Sequence, residues 1–325
     1  MKKEYNWATL GTGVIANELA QALAKQGRKI YSVANRTHEK GVKFAEKYGI
    51  EKVYDTIDEV FEDENVDIIY ISTPHNTHIN FLRKALKAGK HVLCEKSITL
   101  NSEELEEANQ LAKENHVVFA EAMTIFHMPL YKEINQFIKN NELGNPSLLT
   151  LNFGSFKEYD MNNRFFNRNL AGGALLDIGV YALSFARWFM SEKPEEVLSQ
   201  VKLAPTGVDE KVGLLLKNSK DEMATIMLSM HTKQPKRGIV AYEKGYLEVM
   251  EYPRSANASF TFTDNGKRVE IASGKRENAL LYEVQDMEKT ISKEEDCMYQ
   301  EYTKDVMDIM TKLRKEWGLV YPEEE

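Results

Sequence analysis

The sequence predicts an α/β protein with an N-terminal doubly wound parallel sheet and a strand-rich second half. Three observations carry the prediction. A short apolar strand runs into a glycine turn and a helix near residue 10. Strands and helices then alternate as far as residue 122, and beyond it strand-like runs separated by Gly, Asn and Lys turns dominate. With 325 residues the chain is long enough for about two cores, and the change of pattern puts the domains at 1–122 and 123–325.

The first strand leads into Gly11-Thr12-Gly13-Val14-Ile15-Ala16, after which Leu19, Ala20, Ala22 and Leu23 share one helical face. This G-x-G-x-x-A pattern between strand and helix suits a dinucleotide site comprising Gly11, Thr12, Gly13, Val14 and Ile15. Gly11 permits the tight turn, Gly13 lets the backbone approach a pyrophosphate, and the helix start offers free N–H groups and positive dipole. A second strand at 29–35 and a helix ending at Gly49 complete a βαβ unit. An acidic residue closing that strand would bond the ribose 2′-hydroxyl of NAD. This chain has Asn35-Arg36-Thr37 instead, and Arg36 is suited to a 2′-phosphate through charge-assisted bonds. The expected cofactor is NADP(H), with NAD(H) still open, since Arg36 also reads as a solvated helix-start residue.

Residues 66–73 form a continuous apolar run, as a parallel strand covered on both faces requires, and Pro74 ends it. A helix to Gly89, a strand at 91–94, a helix opened by Asn101-Ser102-Glu103-Glu104 and a strand at 117–120 bring the count to six strands. Thr73, Pro74, His75 and His78 follow strand four, and Glu95 and Lys96 follow strand five. Ligands lie beyond such carboxyl ends, so these residues join the cofactor set. His75 and His78 miss every strong zinc spacing, and no metal is expected.

Lys plus Arg number 42 against 50 Asp plus Glu, a formal charge of −8, which argues against a general nucleic-acid or membrane-surface binder. No apolar run approaches the roughly 20 residues that span a bilayer. Met1-Lys2-Lys3-Glu4 leads straight into a strand and leaves no room for a signal peptide. The expectation is a cytoplasmic protein with Cys94 and Cys297 reduced.

The order of motifs resembles one family. To the glycine turn are added Thr73-Pro74 with His78, Ala88-Gly89-Lys90-His91-Val92-Leu93-Cys94-Glu95-Lys96, Glu121-Ala122, and Gly172-Gly173-Ala174-Leu175-Leu176-Asp177-Ile178-Gly179-Val180-Tyr181. Together they are similar to the Gfo/Idh/MocA oxidoreductases, and most similar to the branch of trans-dihydrodiol dehydrogenase and NADP-dependent xylose dehydrogenase. That branch has tyrosine, here Tyr181, where most members have histidine. The resemblance spans the whole chain. It implies a Rossmann domain followed by an α/β domain whose open, mostly antiparallel sheet forms a homodimer interface. The pattern beyond residue 122 agrees, with helices at 129–139, 179–190 and 298–317 and strand-like runs at 147–156, 197–203, 212–216, 223–231, 238–242, 246–251, 259–263 and 268–272.

The resemblance also implies the chemistry. Hydride transfer from an alcohol needs a group to take the hydroxyl proton, and tyrosine does so near neutrality only if its pKa falls below about 10, as a neighbouring ammonium favours. The family pattern sets Lys96 at the substrate with Tyr181 opposite as general acid/base and Asp177 orienting the substrate or Lys96. Four residues apart, Asp177 and Tyr181 fall on one helical face. It puts Glu95 at the nicotinamide ribose. Thr124 and Phe126, after Glu121-Ala122-Met123, are expected near the substrate, and Arg164 and Arg168 in Asn162-Asn163-Arg164-Phe165-Phe166-Asn167-Arg168 read equally as reaching a substrate hydroxyl or as solvated loop residues. The plain alternatives are a surface Lys96, a core Tyr181 and solvated arginines. Two departures stand out. Glu95-Lys96-Ser97 replaces the usual Glu-Lys-Pro, and since a cis bond before serine costs about 2.5–4 kcal/mol the peptide is expected trans. Thr124-Ile125-Phe126-His127 lacks the branch's usual aromatic after Glu-Ala-Met, which points away from an aromatic diol. The expected function is NADP-dependent oxidation or reduction at a secondary alcohol or carbonyl of a small-molecule sugar, polyol or cyclic diol. The alternatives are a non-catalytic dinucleotide-sensing regulator, or a reductase of a non-sugar carbonyl or unsaturated tetrapyrrole.

Overall fold

The structure is a computed structural model that describes residues 4–325. Met1, Lys2 and Lys3, read above as leading into the first strand, lie outside the described residues. The chain divides into two compact units. One comprises the chain up to Ala122 together with Leu280–Gln300, the other Met123–Ala279 together with Glu301–Glu325.

The first unit runs β1 (Trp7–Leu10), α1 (Val14–Ala24), β2 (Ser32–Ala34), α2 (His38–Tyr48), β3 (Lys52–Val53), the single turn α3 (Glu59–Glu62), β4 (Ile68–Ile71), α4 (His78–Lys87), β5 (His91–Glu95), α5 (Ser102–Glu114) and β6 (Phe119–Ala122). The six strands are parallel in the order β3-β2-β1-β4-β5-β6. That order reverses between β1 and β4, the switch point beside which doubly wound sheets bind their ligands. Every residue of β1 and β4 is buried, which is why Ile68–Ile71 reads as an unbroken apolar run and β1 is apolar apart from Thr9. Gly49 closes α2 in the left-handed region at φ +64°, its N–H bonded to Ala45 O. Asn101 caps α5 by accepting from Glu104 N at 2.9 Å, and the Glu104 carboxylate accepts from Leu100 N.

The second unit begins with the short α6 (Thr124–His127), α7 (Pro129–Asn140) and β7 (Leu148–Gly154). A π-helical turn, Leu175–Gly179, leads into α8 (Val180–Phe189). Then come β8 (Glu196–Leu203), β9 (Asp209–Lys217), β10 (Met223–Ser229), β11 (Gln234–Tyr242), β12 (Gly245–Met250), β13 (Asn257–Phe262) and β14 (Arg268–Ala272). After α9 (Ala279–Ile291), which belongs to the first unit, α10 (Gln300–Trp317) completes the set. The eight strands order as β14-β13-β12-β11-β7-β10-β9-β8, with β7 and β10 parallel and the other neighbours antiparallel. Alternation along each strand separates the two faces. Leu149, Leu151, Phe153, Ala224, Ile226 and Leu228 are buried, while Leu148, Leu198, Met227, Tyr246 and Met250 stand 42–68% exposed on the other face.

Two expectations are corrected here. Arg168–Phe189, 22 residues long, contains an 18-residue window with the mean hydropathy of a bilayer span (1.3), contrary to the expectation that no run approached that length. It reads so because 78% of that window is buried in the protein. The second domain is also not the unbroken stretch 123–325. Leu280, Leu281, Val284 and Met287 of α9 are buried, and Glu288 accepts from the Trp7 indole Nε1 at 2.9 Å and from Arg28 Nη2 at 2.6 Å, which ties this helix to the first unit. Glu288→Ala strands the donor of a buried tryptophan, so it is expected to lower the unfolding free energy by about 1–3 kcal/mol in urea titration. A change within about 0.5 kcal/mol would show that the contact does not hold α9.

Candidate functional site

At the exit of β1, Gly11 has φ +101° and donates to Ala34 O at 2.9 Å. A Cβ there would stand 2.9 Å from Ser72 Oγ and 3.0 Å from Ser72 O, so the position excludes a side chain. Gly13 differs, because a Cβ added to it would meet nothing within 4 Å. It is the exposed N-cap of α1, without a side-chain cap, and the helix-start amides beyond it have no internal acceptor. Val14 next to it is 80% exposed and Ile15 half-buried. The exit of β2 is braced by Thr12 Oγ1 donating to Asn35 Oδ1 (3.3 Å) and Asn35 Nδ2 to Thr37 O (2.8 Å). Arg36 between them is exposed and forms no ion pair with another described residue.

Beyond β4, Thr77 Oγ1 lies 2.8 Å from Thr73 Oγ1 and 2.7 Å from Pro74 O, which fixes the turn His75–Thr77. His75 meets the edge of the His78 ring at 5.9 Å. His78 itself is fully buried. Its Nε2 lies 2.8 Å from Thr73 O and its Nδ1 3.0 Å from Ser97 O, and burial holds its pKa below the ordinary histidine value. This corrects the expectation of a cofactor contact: the buried ring faces backbone carbonyls with both nitrogens, its single N–H donating to one of them, and His78 packs between the β4 exit and the segment after Lys96. The Lys96–Ser97 peptide is cis, which overturns the expected trans bond. The backbone here is held from several sides, by His78 at Ser97 O and by the buried Glu121 carboxylate, which accepts from Ile98 N at 3.1 Å. Tyr70 donates its hydroxyl to Glu95, and Glu95 Oε2 accepts from Lys96 N at 3.3 Å. Lys96 is half-buried. Tyr70, which has no motif of its own, and Glu121, the acid of the Glu121-Ala122 motif, act here as supports.

In the second unit Asp177 lies on the π-helical turn and Tyr181 in the first turn of α8. The other residues of α8 are all buried, so Tyr181 is its one half-exposed side chain. Single π turns often mark functional sites. Asp177 has the exposed Arg164 at 3.7 Å, while Phe153 packs on the Tyr181 ring at 6.2 Å. Three of the expected substrate residues are placed otherwise. Thr124 is buried with Oγ1 donating to Pro253 O at 2.5 Å, and Phe126 is buried against Trp188 and Tyr302 at 6.0 and 5.8 Å, because α6 is a core element of this unit. Arg168 donates to Val320 O and pairs with Glu325 at 2.5 Å, which anchors the chain end. Sequence reading missed Asp209. It is completely buried, with Oδ2 accepting from Leu175 N at 2.6 Å, and burial pushes its carboxyl up to about 7.

Comparison with known proteins agrees with this division. Residues 5–123 match the family model described as oxidoreductase family, NAD-binding Rossmann fold, and residues 131–248 match that of the GFO/IDH/MocA C-terminal domain. The chain belongs to the Gfo/Idh/MocA family. It is 28% identical over 328 residues to trans-1,2-dihydrobenzene-1,2-diol dehydrogenase of Xenopus laevis, a match covering 97% of this chain and 99% of the relative. A 3-ketoreductase from Actinomadura kijaniata, in complex with NADP and TDP-benzene, shares the fold at a TM-score of 0.84 and 20% identity, covering 96% of this chain and 98% of that one. A levoglucosan dehydrogenase in complex with NADH and levoglucosan does so at 0.84 and 17%, covering 96% and 97%.

This Gfo/Idh/MocA chain is therefore an oxidoreductase with a nicotinamide-dinucleotide-binding Rossmann domain. The β1 exit fits that cofactor, since Gly13 leaves an open cradle at a helix N-terminus. Gly13→Ala should cost about 1 kcal/mol of stability or less, the φ of −71° being allowed to alanine. NADPH affinity should nevertheless fall at least about tenfold, because the methyl stands where a pyrophosphate approaches. Thermal melts paired with fluorescence titration check both halves, and unchanged affinity would remove the cradle from the site.

Proposed function

We propose that the chain is an NADP-dependent oxidoreductase acting on a secondary alcohol or carbonyl of a sugar, polyol or cyclic diol. The nicotinamide, when bound, supplies or accepts the hydride. Tyr181 takes the hydroxyl proton of the alcohol in oxidation and returns it in reduction. Lys96 favours the phenolate and bonds the reacting oxygen, and Asp177, with Arg164 beside it, orients the substrate. The observation that carries this reading is the isolation of Tyr181 as the one half-exposed side chain of an otherwise buried helix, since a tyrosine serving only the core would be enclosed like its neighbours. Retention of Lys96 and Tyr181 together favours an enzyme over a dinucleotide-sensing regulator. The substrate class follows the diol dehydrogenase and sugar oxidoreductases that the chain resembles.

The NADP preference rests on Arg36, exposed and in no ion pair with another described residue just after β2, where the sequence Asn35-Arg36-Thr37 sets no carboxylate against a 2′-phosphate. The apolar outer face of the eight-stranded sheet supports a homodimer through that face. The buried free thiols Cys94 and Cys297 suit a reducing, cytoplasmic setting.

Two measurements test the proposal. An arginine–phosphate contact contributes about 1.5–3 kcal/mol, so NADPH should bind roughly tenfold to a hundredfold tighter than NADH by tryptophan quenching, and Arg36→Ala should erase the difference. Equal affinities in the unaltered protein would refute the preference. Tyr181→Phe should lower kcat by at least about a hundredfold with the dinucleotide affinity kept. A variant retaining most of its turnover sinks the assignment of Tyr181.

A further inference from the structure

We infer that Asp209 is a positioning residue for Asp177 and Tyr181, and that together with Tyr321 it clamps the Gly172-Gly173 turn from which both are presented. The inference rests on the proton-transfer reading of Tyr181. Every residue it uses lies in the second unit.

Asp209 opens β9 and Leu175 opens the π-helical turn. The hydrogen bond from Leu175 N to Asp209 Oδ2 fastens the start of that turn to the sheet, two residues before Asp177 and six before Tyr181. The first amides of a helical turn lack internal acceptors, and here the carboxyl supplies one where no water reaches. Gly173 makes the approach possible. Its φ is +126°, and a Cβ on it would lie 2.2 Å from Asp209 Oδ1. The glycine is therefore read as a gap cut for this carboxyl, in addition to its role in turning the chain.

The second jaw comes from the end of the chain. Tyr321 is completely buried and donates its hydroxyl to Gly172 O at 2.6 Å. The Arg314 guanidinium lies over the Tyr321 ring at 4.8 Å and grips Glu324 through both terminal nitrogens at 2.7 Å. The same Glu324 carboxylate accepts from Tyr321 N at 2.9 Å. Gly172 and Leu175 are thus each held by a buried side chain, Tyr321 and Asp209, and Asp177 N donates back to Gly173 O at 3.3 Å.

A space-filling role does not account for this arrangement. A fully buried carboxyl is costly, whereas an apolar residue would fill the volume without that cost. What only an acceptor provides is direction. Leu175, Leu176, Ile178, Gly179 and Val180 are buried around Asp177 and Tyr181, so a small rotation of the turn would carry both functional side chains off their face.

The test compares Asp209→Ala, Asp209→Asn and Tyr321→Phe in the full chain. Hydrogen exchange is read first because it needs no substrate. In Asp209→Ala the peptide 171–181 should exchange at least about tenfold faster while β10 keeps its protection, and Asp209→Asn, which still offers an oxygen to Leu175 N, should restore it. NADPH affinity should stay within about twofold, and kcat with NADP and D-xylose, D-glucose or trans-cyclohexane-1,2-diol should fall at least about tenfold with little change in KM. Unchanged exchange at 171–181, exchange raised equally across the second unit, an asparagine variant as loose as the alanine one, or an undiminished kcat each overturns the inference. If Asp209→Ala does not fold, Tyr321→Phe carries the same readouts from the other jaw. An active Tyr181→Phe enzyme would defeat the proton-transfer reading alone, since the exchange comparison does not involve Tyr181 chemistry.

Discussion

Much of the first unit depends on the absence of a side chain at Gly11. Ser72 Oγ and Ser72 N both donate to Leu10 O, at 3.0 and 2.9 Å, while Gly11 N reaches Ala34 O on the other side. Three strand ends are knitted together around a point where any Cβ would collide. Only because β1 and β4 come this close can the next residues swing outward and present the start of α1 with its amides unpaired. The parallel arrangement then sets the exits of β4, β5 and β6 side by side, which gathers Thr73, Glu95, Lys96 and Glu121 along one edge of the sheet.

Both units use buried polar groups to aim backbone where apolar packing would leave it undirected. Around Lys96 the work falls to His78, Glu121 and the Tyr70–Glu95 contact, none of which needs a proline at position 97. Around Tyr181 it falls to Asp209 and Tyr321. Apolar contacts are non-directional, and a hydrogen bond in a dry interior is not, so each of these groups converts a desolvation cost into orientation.

What was legible in the sequence was local. The glycine turn, the six-strand alternation, the stop at Gly49 and the Asn101 cap are written within a few residues of where they act, and periodicity alone located the second unit's strands. What was not legible depended on distant partners. Arg168 resembles a substrate ligand until Val320 and Glu325, some 150 positions on, are seen to hold it. Phe126 follows a motif strand, yet which way its ring turns is decided by Trp188 and Tyr302. Asp209 has no motif, because its meaning comes from a glycine in another segment. Helix α9 is a different kind of miss. Leu280, Leu281, Val284 and Met287 carry a helical period in plain view, but no pattern in the sequence says which core they serve.

The return of Leu280–Gln300 to the first unit has a consequence for synthesis. Emerging from the ribosome, the six-stranded sheet is complete by Ala122, but Trp7 and Arg28 must wait for Glu288. The nascent sheet would therefore remain open along one flank until most of the chain has been translated, and the second unit would be made inside that interval. A ribosome stalled between residues 122 and 280 would carry an unfinished first unit, a species that chaperones or proteases would meet before any cofactor did.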